Sequence, residues 1–125
     1  MKILQTIVVK EKRLTMNKYC QITTTVSTMK DARKIMKNLL EKRLIACCQI
    51  QEINSCYWWN NRIEDEKEYL LIMKTKESLY NEIEKEILEN HPYEVPEIVM
   101  TEIQDGYYEY LNWIKEETKN PKASI

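Results

Sequence analysis

One histidine, four cysteines and a short row of glutamates are the groups in this 125-residue chain that could do chemistry. His91 is the only imidazole, and imidazole titrates near neutrality, so it is the candidate metal ligand or general acid–base group. It lies in Asn90-His91-Pro92-Tyr93, where the proline pushes it out of helical geometry; its other possible role is a structural cap for that turn. Glu64, Glu66 and Glu68 alternate with Asp65 and Lys67, so on a strand the three carboxylates share one face, and such a row suits a hard cation or plain solvent. Cys20, Cys47, Cys48 and Cys56 contain no C-x-x-C pair, which excludes a zinc finger by spacing. Adjacent Cys47 and Cys48 would point to opposite faces of a strand, so the cysteines read as small buried thiols in a reducing compartment. Trp58 and Trp59 alternate in the same way; at most one lines any shared cleft, and burial between subunits suits such aromatic residues. No nucleophile, base and orienting group can be read together, so no catalytic residue is assigned.

The elements that must position these groups follow from periodicity. Tyr19 to Val26 is rich in β-branched and aromatic residues and reads as a first strand. Thr28-Met29-Lys30-Asp31 has the hydroxyl and early acid of a helix start, and Ala32, Ile35, Met36, Leu39 and Leu40 recur at helical spacing. Leu44 to Trp59 and Arg62 to Thr75 read as the arms of a hairpin closed by Asn60-Asn61, because Asn tolerates positive φ. Arms of this length project past a small domain unless another chain receives them, since a typical strand has only about 5–6 residues. A second helix is expected from Glu77 or Ser78 to about Glu89, on a stripe of Leu79, Ile83 and Ile87 with Tyr80 and Leu88 flanking the same side. A fourth strand over Ile98 to Ile103 and a short helix carrying Tyr107, Tyr110, Leu111 and Ile114 complete the chain.

The resulting order is βαββαβ, an α+β ferredoxin-like sandwich with an extended β2–β3 hairpin and an added C-terminal helix. Residues 1–15 are expected to be an extension, 16–118 the domain and 119–125 a tail. Tyr69-Leu70-Leu71-Ile72-Met73 places apolar side chains on both faces of the sheet, and two helices cover only one. An oligomer is therefore expected from the residues alone.

Bulk properties narrow the function. A net charge of -1 provides no global field for nucleic acid or an anionic membrane surface, and no apolar window approaches the roughly 20 residues of a membrane span. A cytoplasmic protein with neither kind of partner is expected. The single Gly106 argues against a Gly-rich phosphate cradle.

Over residues 19 to 117 the chain resembles the CutA divalent-cation-tolerance family. The resemblance rests on Leu44-Ile45-Ala46-Cys47, Tyr57-Trp58-Trp59, the acidic-then-apolar run from Glu64 to Thr75, His91-Pro92-Tyr93-Glu94-Val95-Pro96-Glu97, and Tyr110-Leu111-x-Trp113-Ile114. It implies a homotrimer with long hairpins reaching onto neighbours, and a non-catalytic scaffold or signalling role linked to divalent-metal, particularly copper, tolerance or binding. In members credited with copper binding it implies ligands where this chain has Thr24, Asn90 and His91, leaving only His91 as a good donor. Tyr57, Trp58, Lys74, Tyr93 and Glu97 are the remaining candidates for an intersubunit cleft. No cofactor other than such a metal is expected. The competing readings are a trimeric small-molecule sensor like the PII proteins and an enzyme using the cleft around His91.

Overall fold

The computed structural model describes residues 18–121. The expected extension over residues 1–15 lies outside the described residues, as does the end of the expected tail. Strand β1 (Tyr19–Val26) leads into helix α1 (Met29–Glu41), whose start is fixed by Thr28, its side chain accepting from the Asp31 amide. Two long strands, β2 (Cys47–Trp59) and β3 (Arg62–Lys76), form the hairpin. A 3-10 turn (Glu77–Leu79) opens into α2 (Tyr80–Asn90), and β4 (Val99–Ile103) and α3 (Tyr108–Glu117) follow.

The sheet is antiparallel throughout, in the order β2-β3-β1-β4. β3 therefore lies between the parallel pair β1 and β2, and β1 lies between the parallel pair β3 and β4, giving two interlocked split β-α-β units. Asn60 and Asn61 adopt φ values of 51° and 60°, the geometry of a two-residue turn whose twist matches its strands.

α1 and α2 cover one face of the sheet. Ile22, Leu71 and Met73 meet Ile35, Leu39, Ile83 and Ile87 there in a fully buried core. Two residues of the expected helical stripes behave differently: Leu40 is on the edge of exposure, and Leu88 is more than half exposed because, one residue past Ile87, it points about 100° around the helix from the Ile83–Ile87 line. α3 packs on the opposite face but covers only one end of it, through Leu111 and Ile114 against Tyr19. Lys119, expected to begin a frayed tail, donates its amide to Arg43 O at 2.8 Å and pairs with Glu82 at 2.9 Å.

β1 pairs with β3 only over Tyr69–Lys76, whereas β2 pairs with β3 along its whole length. Ile53–Trp59 and Arg62–Glu68 are thus a two-stranded ribbon with no third strand beside it. Such a ribbon is marginal in water by itself.

The two-sided sheet makes a contrast measurable by urea unfolding at fixed protein concentration. Leu71→Ala, in the closed core, is expected to cost about 2–5 kcal/mol. Leu88→Ala is expected to stay within about 0.5 kcal/mol.

Candidate functional site

The segment after α2 returns over the sheet instead of continuing the helix, and His91 holds it there. The Tyr93 amide donates to His91 Nδ1 at 3.1 Å, so Nδ1 carries no proton and the ring's Nε2–H donates to Thr25 O at 2.8 Å. Both nitrogens are engaged by backbone groups. Burial lowers the imidazole pKa from 6.5, outweighing the bond to Thr25 and the nearby acids, which favours this neutral form. His91 also meets Tyr93 edge to face, with ring centroids 4.8 Å apart.

Tyr93 makes the second attachment, its hydroxyl donating to Glu68 Oε2 at 2.6 Å. Glu68 is only 5% exposed, which corrects the expectation of a solvated row: the β3 carboxylates share a face, but this one is enclosed by the returning segment. Burial and the Glu68 bond push the Tyr93 phenol upward. On the hairpin, Tyr57 donates to Glu66, and that bond raises Tyr57 to about 12. Glu64 stands opposite Tyr57 in the register.

Between the ribbon and the His91–Glu97 segment lies a cleft of about 640 Å³. Tyr57, Trp58, Trp59 and Tyr93 supply its aromatic rings, and Glu66, Glu68, Glu94 and Glu97 its carboxylates. The structure thus brings together Tyr57, Trp58, Tyr93, Glu97, Glu66 and Glu68 from the sequence candidates. Both tryptophans contribute, against the expectation that alternation admits one. Lys74 belongs elsewhere, donating to Gln49 Oε1 at 2.7 Å, and Glu64 does not line the cleft. Glu94 was not singled out from sequence, and its place beside Tyr93 was the available signal. Glu97 accepts from Thr23 Oγ1 at 3.3 Å.

The residues do not fit the copper set that the resemblance implies. His91 has no free ring nitrogen, and Asn90 Nδ2 is bonded to Glu86 O at 2.9 Å. Thr24 is fully buried, its hydroxyl having no partner in the structure, and a hydroxyl is a poor donor to copper. Among the described residues no group of three or more His, Cys, Asp or Glu side chains is placed to hold a metal ion. The cysteines are all free; burial raises Cys20 and Cys48 to about 12, far from thiolate character at neutral pH.

The depressed His91 pKa predicts a pH dependence. Between the folded and the higher unfolded pKa the unfolded chain binds more protons, so stability falls as pH drops below about 6.5. Thermal unfolding followed from pH 7.5 down to 5 is expected to show this decline, and His91→Gln is expected to reduce its slope.

Comparison with known proteins agrees with this architecture. The CutA1 divalent ion tolerance protein model matches residues 20–117. The divalent-cation tolerance protein CutA of Pyrococcus horikoshii is 44% identical over 96 residues, 77% of this chain and 94% of that protein. Its namesake from Thermotoga maritima is 44% identical over 85 residues, 68% of this chain and 84% of that protein. Among solved structures, CutA1 from Pyrococcus horikoshii superposes with a TM-score of 0.78 at 40% identity, covering 81% of this chain and 99% of that one. The α+β fold with a four-stranded antiparallel sheet and three helices is that of the CutA1 structures. The chain belongs to the CutA1 divalent ion tolerance protein family.

Proposed function

We propose that this chain acts in divalent-cation tolerance as a non-catalytic homotrimer of ferredoxin-like subunits. The observation that carries the assembly is the unfinished side of the sheet. Leu70 and Ile72 are only half-buried there, Val99 is 48% exposed, and the ribbon ends in Trp58 and Ile63, 70% and 62% exposed. A neighbour receiving the ribbon would cover these groups, and aromatic residues are favoured in such contacts. Four free thiols, two of them adjacent, suit a reducing compartment such as the cytoplasm.

A non-catalytic role is supported by the way the imidazole and the phenols are already engaged. The His91 lone pair accepts from an amide, and Tyr57 and Tyr93 are held as phenols by the carboxylates they bond. The nucleotide-sensor reading is disfavoured by charge, because a cleft lined by four glutamates repels phosphates. A divalent ion bound by this protein would draw ligands from more than one copy, since no single described chain assembles three. Copper is the ion implied by the resemblance, and its ligands would be groups other than His91.

Native mass spectrometry is expected to give three chains per particle; a monomer at micromolar concentration would contradict the assembly. Calorimetric titration of copper(II) is expected to give the same isotherm for the wild type and His91→Ala. Loss of binding in the variant would contradict this reading, showing that the imidazole leaves its backbone partners for the ion.

A further inference from the structure

The chain after α3 crosses from one face of the sheet to the other. α3 lies on the second face, and the residues that follow it turn round the end of the sheet to the helix layer, where Lys119 pairs with Glu82 of α2 at 2.9 Å. On the way Arg43 Nη1 donates to Glu117 Oε2 at 2.7 Å and to Glu117 O at 3.4 Å, and the Lys119 amide donates to Arg43 O at 2.8 Å. Arg43 does this from a φ of 57°, a left-handed conformation unfavourable for a residue with a Cβ, at the corner between α1 and β2. The crossing lies at the end of β3 away from the ribbon, where α3 already covers the second face. It is made within one chain and does not rest on the trimer reading.

α3 has little else to hold it. It has 10 residues, too few for a stable helix in isolation, its start has no side-chain cap, and Leu111 and Ile114 are its buried residues. Its C-terminal carbonyls are met instead by side chains from three places. Thr118 Oγ1 donates to Ile114 O at 2.8 Å, Arg43 to Glu117 O, and Lys76 Nζ to Thr118 O at 3.4 Å.

Lys76 is the member of this set that does not fit. Only 7% of it is exposed, yet it takes part in none of the ion pairs among the described residues, and 3.4 Å is long for the carbonyl it reaches. A buried ammonium with no counter-charge opposes the cover that buries it. Burial lowers its pKa, with Lys115 adding to the effect and Glu116 opposing it. The cover includes Thr118, which is equally buried. Against this push stand the Arg43–Glu117 and Lys119–Glu82 pairs, both partly exposed and therefore screened by salt.

We propose that Glu117–Lys119 is a strap that opens and recloses as a unit: the Arg43–Glu117 and Lys119–Glu82 pairs hold it shut, the Lys76 ammonium beneath it favours opening, and ionic strength sets the balance. Opening frees the last turn of α3 and lets Lys76 reach water, while the core under α1 and α2 stays closed. The strap thereby makes the hold of α3 on the second face responsive to ionic conditions.

Hydrogen exchange of the intact protein, read by mass spectrometry on peptides spanning residues 115–121 and on peptides of β3, tests this. Raising KCl from about 0.02 to about 0.5 M is expected to speed exchange of the strap about two- to tenfold while Leu71 and Met73 keep their protection. Glu117→Gln is expected to speed it by a similar factor at low salt and to flatten its salt response. Lys76→Met keeps most of the side chain and removes the charge, so it is expected to slow strap exchange at least about fivefold. Should Lys76→Met fail to fold, Glu117→Gln, at a partly exposed position, decides the matter alone. The proposal is overturned if salt or Glu117→Gln leaves strap exchange unchanged, or if the strap and β3 exchange together at one rate. It is equally overturned if Lys76→Met speeds exchange, which would make the ammonium a cap that holds α3 down.

Discussion

The rest of the molecule depends on β3 being longer than the strand beside it. Its second half pairs with β1 over Tyr69–Lys76 and with β2 as well over Tyr69–Lys74, and there Leu71 and Met73 anchor the core under α1 and α2. Its first half, Arg62–Glu68, has β2 alone for a partner and carries Glu66 and Glu68 out to the cleft. One strand thus joins a closed hydrophobic core to an open polar site. The same strand is apolar on both faces at Leu70–Met73, and with α3 over only one end of the second face the chain by itself leaves that face partly open.

The His-Pro-Tyr turn converts that strand geometry into a cleft. Pro92 ends the helix, His91 fastens the returning backbone to β1, and Tyr93 fastens it to β3. All of the imidazole's hydrogen-bonding capacity is used in this attachment. Membership of a divalent ion tolerance family and possession of a histidine-centred copper site are therefore separable properties, and this chain has the first without the geometry of the second.

Much of the fold was legible because period and turn chemistry agree. Thr28 caps α1 as its sequence indicates, Leu79, Ile83 and Ile87 are all buried, and Asn60-Asn61 closes the hairpin. The end of α1 was not marked by a glycine. Arg43 takes φ 57° there, with Arg43 and Leu44 amides returning to Leu40 and Leu39 carbonyls, a cap that sequence usually announces with Gly. The site was legible in membership more than in roles. Spacing placed Glu66 and Glu68 on one face, but the burial of Glu68 is imposed by the returning segment, whose Tyr93 reaches it from 25 residues further along the chain. Lys74 resembled a cleft residue in the sequence, yet its position opposite Cys47 puts it at the other end of the strand.

The central claim is that another copy covers the open face and receives the ribbon. Backbone hydrogen exchange across β2 and β3 tests it most directly, because the ribbon's outward amides have no strand beside them within one chain. Ile53–Trp59 and Arg62–Glu68 are expected to be protected to a degree comparable with Tyr69–Lys74, which is paired on both sides. Rapid exchange of the ribbon, at the level of exposed loops while Tyr69–Lys74 stays protected, would contradict that claim.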